Sequence, residues 1–264
     1  MGHIQNLLGR HRAAEQSYRR ATELLGQLTS AFPAEAAYHG LAASCQTNLA
    51  ILLKETGRYG EAERAFQRAV ELEEELLRQH PGSPSHRRSL ARSYSDLAVM
   101  LKVAGRLEQA EKHFGRALEM QEKLAADAPT DVENRENLAR SHQNYGLLLK
   151  ITGRLAEGER AYRRAVELYD KLVADTPAHE GHRFGLCGAL LNLGVVQETT
   201  ERPKEAEAAF RRAVELAGKL AADFPAVPDY RSILARSLLN LAARLQGSGR
   251  LEEGERAYRR VLEL

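Results

Sequence analysis

The side chains with the most to offer chemically form a row of polar residues at Asn48, Asp96, Asn144, Asn192 and Asn240, one every 48 residues. A carboxamide donates and accepts hydrogen bonds at once, so the chemistry such a row supports is recognition. Four residues before each member stand Ser44, Arg92, Arg140, Gly188 and Arg236, and three residues after come Ile51, Val99, Leu147, Val195 and Ala243. A guanidinium beside a carboxamide can fork onto an acidic side chain or a terminal carboxylate. Lys54, Lys102 and Lys150 lie close to the same row and add positive potential. The adjacent positions Thr47, Ser95, Gln143, Leu191 and Leu239 have drifted while the Asn/Asp row has not. Two readings of the row stay open. It contacts a ligand, or it hydrogen-bonds neighbouring repeats to one another; tandem duplication copies residues in either case.

Other reactive side chains form no comparable pattern. Nine histidines are scattered, and the closely spaced His179 and His182 have no recurring acidic or cysteine partner, so no metal site is expected. Cys45 and Cys187 occupy different phases of the repeat and read as buried or half-buried thiols. No glycine-rich phosphate loop, GxSxG elbow or HExxH is present, which argues for neither a cofactor nor an enzyme. Glutamates such as Glu61 and Glu63 suit the positive end of a helix, and Arg163-Arg164 and Arg211-Arg212 read as a solvated face. Lys and Arg total 38 against 36 Asp and Glu, a net charge of +2 that disfavours nucleic acid. No run approaches the ~18 apolar residues of a spanning helix, so no membrane role is expected. These features predict a soluble, cytoplasmic chain.

The elements that carry these residues follow from the period. Gly-Arg recurs at Gly9-Arg10, Gly57-Arg58, Gly105-Arg106, Gly153-Arg154 and Gly249-Arg250, with Glu201-Arg202 in the missing place. Pro33, Pro81, Pro129, Pro177 and Pro225 keep the same register, as do Tyr18, Phe66, Phe114, Tyr162, Phe210 and Tyr258. Each unit reads as two helices of about twenty residues. Ser83 suits an N-cap and Pro84 a first turn, with Asp131 and Pro228 at the matching phases. The glycine of Gly-Arg fits the left-handed position that ends a helix, and the glycine-free turn at Glu201-Arg202-Pro203 is expected to be irregular. Leu90, Tyr94, Leu97, Ala98 and Leu101 mark one face of a first helix; Ala62, Phe66, Ala69 and Leu76 mark one face of a second. A lone pair cannot bury these faces, so the predicted fold is all-α, a right-handed α-solenoid of stacked antiparallel helix pairs over residues 1–264.

The pattern resembles the tetratricopeptide repeat. Leu97-Ala98, Gly105, Ala110, Phe114 and Ala117 match its small–glycine–alanine–aromatic–alanine sequence, and Asn144-Tyr145-Gly146, Gly153, Tyr162 and Ala165 match it again. The unit departs from the family's 34 residues by lengthening each helix about two turns. Gly158 and Gly254 stand where the family has a small alanine. The long unit also resembles repeats appended to bacterial serine/threonine kinases and, distantly, kinesin light chain repeats. The resemblance implies a protein-interaction scaffold whose first helices line a concave wall, with the matching asparagines on the backbone of an extended peptide. The arginines and lysines suggest an acidic or carboxylate-ended segment.

The sequence holds five and a half units and is cut mid-unit at both ends, where apolar stripes would be uncovered. Two further expectations follow: end-to-end self-association as a structural module, or a regulatory region of a larger protein such as a serine/threonine kinase.

Overall fold

A computed structural model describes residues 2–264, with side chains from residue 11 onward. Among the described residues every regular element is a helix. They form two compact units, one ending at Leu124 and the other running from Ala125 to Leu264.

In the first unit α1 (Gly2–Ala31) packs on α2 (Ala36–Glu55), α2 on α3 (Tyr59–Gln79) and α3 on α4 (Pro84–Val103); α5 (Leu107–Asp127) lies mostly in this unit. The second unit contains α6 (Val132–Ile151), α7 (Leu155–Asp175), α8 (Glu180–Thr199), α9 (Pro203–Asp223), α10 (Pro228–Gly247) and α11 (Leu251–Leu262). There each helix packs on the next, and the first helices α6, α8 and α10 also touch one another in order. This is the expected stacking of helix pairs.

Local sequence sets the boundaries. The Ser83 hydroxyl accepts from the His86 backbone N–H at 3.3 Å, and the Asp131 carboxylate accepts from Asn134 N–H at 2.9 Å. Each cap satisfies a donor that the first turn of a helix leaves unpaired. Pro84 and Pro228 open their helices as anticipated. At the other end Gly57, Gly105, Gly153 and Gly249 take φ between +76° and +81°. The arginine that follows then donates back to the preceding helix, as Arg154 N–H does to Leu149 O at 2.9 Å.

Two turns differ from expectation. Glu201 adopts φ +56°, and Arg202 N–H donates to Gln197 O at 2.8 Å, so the turn without glycine keeps the geometry of the others. Gly9-Arg10 falls inside α1, where a turn was expected. Glycine permits the left-handed turn but does not impose it, and continuing the helix keeps its backbone hydrogen bonds.

The predicted stripes are the core. Leu90, Tyr94, Leu97, Ala98 and Leu101 are all buried, and so are Ala62, Phe66, Ala69 and Leu76. Close approach within a pair needs a small residue beneath the aromatic. A Cβ added at Gly146 would fall 2.9 Å from the Tyr162 ring, and one at Gly194 would fall 2.5 Å from Phe210. Ala50 and Ala98 hold the same phase in the first unit.

Candidate functional site

The core stripe of each first helix fixes where its polar row points. With Leu97, Ala98 and Leu101 buried, Asp96 and Val99 are left half-buried and Arg92 exposed. Asn48 is exposed, and Asn144, Asn192 and Asn240 are half-buried. Asn240 Nδ2 donates to its own helix at Arg236 O, 3.0 Å away. Among the described residues the side chains of Asn48, Asn144 and Asn192 make no hydrogen bond. Among the described residues no carboxamide of the row bridges one repeat to the next. In the second unit, where α6, α8 and α10 touch in sequence, Asn144, Asn192 and Asn240 sit on consecutive neighbouring helices.

The cationic row is less regular. Arg140 is exposed, and its Nη2 donates to Asn137 Oδ1 at 2.9 Å; Arg236 is also exposed. At α8 the arginine is replaced by Gly188, over which the Gln143 amide of α6 reaches; a Cβ there would sit 2.8 Å from Gln143 Nε2. Lys102 is half-buried, and desolvation lowers its ammonium pKa. Lys150 is also half-buried, whereas Lys54 is exposed. In α8 Glu198 takes the lysine position and pairs with Arg244 of α10 at 2.6 Å, so positive potential does not run the length of the second unit.

Apolar side chains interrupt the same helices. Val103 and Ile151, one repeat apart, are 57% and 52% exposed, and Leu239, beside Asn240, is 43% exposed. A wall offering unpaired carboxamides, guanidinium groups and isolated aliphatic side chains can hold a peptide backbone while sampling its side chains.

A second group reaches this wall from the second helices, at a phase the sequence reading did not single out. Glu73 of α3 is 7% exposed, beside Ser93, Arg92 and Asp96 of α4. Burial pushes its carboxyl up to about 7, against a hydrogen bond from Ser93, and Oε2 has no hydrogen-bond partner. One repeat on from Gln121, Tyr169 of α7 lies near Arg140 and Glu136; burial pushes its phenol up to about 12. Its ring occupies the space a Cβ at Gly185 would need, 2.4 Å away. The signal in the sequence was the repeat phase itself, at Glu73, Gln121, Tyr169 and Ala217.

The arginine of Gly-Arg also has a use that sequence reading missed. Arg58 binds Glu15 of the preceding second helix at 2.7 Å and Glu61 of its own at 2.6 Å. Arg250 does the same with Glu207, 2.6 Å, and Glu253, 2.5 Å; Arg106 pairs with Glu63, and Arg202 with Glu159. Arg19, Arg163 and Arg211 join the two glutamates from the side, as in Arg163 to Glu205 at 2.7 Å. Hydrogen bonds from Arg58 and Arg19 hold the Glu61 carboxyl down to about 2. Glu61 and Glu63 are therefore ties between successive repeats as well as helix-start residues.

The two closely spaced histidines pack on one another at the start of α8. The His179 and His182 rings stack at 3.8 Å, His179 Nδ1 accepts the His182 backbone N–H, and His182 Nδ1 meets Thr176 Oγ1 at 2.7 Å. Among the described residues no group of three or more His, Cys, Asp or Glu is placed to hold a metal. Cys187 is buried, which pushes its thiol up to about 12, and Cys45 is half-buried. No helix among the described residues is long and apolar enough to cross a membrane.

Comparison with known proteins agrees with this architecture. Two family models, both described as tetratricopeptide repeat, match residues 42–82, 90–127 and 234–264, and residues 1–24, 139–171 and 188–220. Among solved structures, BtubC (BKLC) from P. vanneervenii aligns with a TM-score of 0.72 at 21% identity, over 96% of this chain and 90% of that one. The apo form of RapI aligns with a TM-score of 0.61 at 15% identity, over 99% and 94%. At these identities the likeness is one of fold. Curated protein sequences give no match.

Proposed function

Since this chain belongs to the tetratricopeptide-repeat family, a family of protein-interaction scaffolds, we propose that its first helices bind an extended segment of a partner protein. The observation that carries this reading is the unpaired state of Asn48, Asn144 and Asn192. A carboxamide that no side chain or backbone group of the fold engages, and that still reaches solvent, is free to donate to and accept from a ligand backbone. The competing explanation, hydrogen bonding between repeats, requires bonds that these three side chains do not make.

Charge refines the class of ligand. Arg140 and Arg236 lie exposed within one turn of Asn144 and Asn240, and Lys150 follows on α6. This supports a segment carrying acidic side chains or ending in a carboxylate. In the first unit Arg92 and Lys102 play the same part beside Asp96, with buried Glu73 moderating the field.

The test is to select peptides from a random displayed library against the wild-type chain and measure their affinities on the Asn144→Ala, Asn192→Ala double variant. Affinity should fall about tenfold, the worth of one or two peptide hydrogen bonds, with unfolding unchanged because no internal bond is lost. Equal affinity for both proteins would remove the first-helix row from the interaction.

A further inference from the structure

Two cavities recur at one phase of the repeat, on the side formed by second helices and away from the row just described. One, of about 460 Å³, lies between α1 and α3 over α2; its rim carries Arg19, Arg64 and Arg68 against Glu23 and Glu61. The other, of about 300 Å³, lies between α9 and α11 over α10, with Arg211, Arg256 and Arg260 against Glu253. The arginines of the second are those of the first displaced by four repeats. The floors, such as Leu49 and Leu53 or Leu241 and Leu245, are already buried, so what the grooves offer a ligand is mainly positive charge.

The equivalent groove elsewhere is crossed by an ion pair. Between α3 and α5, Arg116 Nη1 lies 3.7 Å from Glu74 Oε1, and the Tyr94 hydroxyl donates to the same carboxylate. Between α7 and α9, Arg212 Nη1 donates to Asp170 Oδ2 at 3.1 Å. Arginine occupies this phase in every second helix: Arg20, Arg68, Arg116, Arg164, Arg212 and Arg260. The acid that meets it from the preceding second helix is Glu74 or Asp170 in these two closed grooves, whereas glycine, Gly26 and Gly218, holds that phase beside the two cavities. Packing does not require those glycines. A Cβ at either would meet nothing within 4 Å, and a glycine in mid-helix weakens the helix. Arg68 turns instead to Glu71 on its own helix, an exposed pair, and among the described residues Arg260 has no ion pair.

We propose that these two grooves are a second interaction surface, and that each takes a carboxylate side chain from an acidic segment of a partner protein. The partner's Glu or Asp stands where Glu74 and Asp170 stand in the closed grooves, and bonds to Arg68 or Arg260. Arg64 and Arg256, which have no ion pair among the described residues, flank it. The chemistry is read from the molecule's own closed grooves, where a protein carboxylate fills the place. For this reason the ligand is an acidic protein segment, with the oligonucleotide as the competing outcome of the test.

The test uses a short fluorescein-labelled peptide of glutamate and leucine, its lysine–leucine counterpart, and a single-stranded oligonucleotide of matching charge. Binding is followed by anisotropy on the full chain. Gly26→Glu with Gly218→Asp supplies the missing acids without a clash and strengthens both helices, so loss of fold does not confuse the result. Wild type should bind the acidic peptide and not the basic one. The glycine variant, and separately Arg68→Ala with Arg260→Ala, should weaken binding about tenfold. The loss caused by the glycine variant should be just as large in an Asn144→Ala, Asn192→Ala background, which separates this surface from the first-helix row. The proposal is overturned if the glycine variant binds as wild type does, if only the asparagine variant loses binding, or if the oligonucleotide binds more tightly than the peptide.

Discussion

Glu73 shows what one buried carboxyl does to a repeat. Its pKa is raised to about 7 by burial, above its ordinary value of 4.5, because the charged form has left water without a full set of partners. The folded protein therefore holds this proton more tightly than the unfolded chain. The stabilisation from the protonated form is complete below pH 4.5 and is lost as pH rises through 7. Glu73→Gln keeps shape and hydrogen-bonding capacity without the charge. Denaturant unfolding should show variant and wild type nearly equal near pH 4.5, with the variant ahead by on the order of 3 kcal/mol above pH 7.5. A difference independent of pH would mean that Glu73 is not buried as a neutral acid. The repeat phase marked this position, but its protonation depends on Ser93, Arg92 and Asp96 of the next helix. That neighbourhood is a matter of packing, which a single residue's identity does not carry. His142 is similar: burial, with Arg164 nearby, pushes its imidazole down to about 4, where the same phase holds Leu190 and Leu238.

Helix boundaries were legible because chemistry punctuates them. Ser83 and Asp131 cap, Pro84 and Pro228 open, and glycines in the left-handed region close. The errors came where a signal permits a conformation without compelling it, as at Gly9, or where the surroundings compel it without the signal, as at Glu201. Glu201 holds φ +56°, a region that disfavours a side chain, because the helices on either side and the Arg202–Gln197 hydrogen bond fix the turn. Glu201→Gly should relieve that strain and raise stability by about 1 kcal/mol, measured by urea unfolding. A loss of stability would show that the turn is not strained. The ladder from Arg58 to Glu15 and from Arg250 to Glu207 was hidden for a different reason. Its partners stand 43 residues apart, and their meeting requires knowing which second helices are neighbours.

At the scale of the whole molecule, repetition makes both faces readable. A first-helix row in which Asn48, Asn144 and Asn192 keep their carboxamides without bonding them internally leaves those three available to a ligand. A second-helix row that keeps its arginines but loses the opposing acid at Gly26 and Gly218 leaves two grooves open. The stacked architecture was legible from the 48-residue period; the roles of individual rows were not, because duplication preserves idle and working residues alike. Hydrogen-bond partners in the folded chain show which of these side chains the fold itself engages. The central claim is that Asn144 and Asn192 bind a ligand backbone. It is tested most directly by the side-chain amide resonances of these two residues in a nitrogen-edited NMR spectrum, assigned by substitution, as a library-selected peptide is added. Both amides should shift in proportion to occupancy, with the Asn240 amide, already bonded to Arg236 O, moving less. Saturation with the Asn144 and Asn192 amides unmoved would contradict the account.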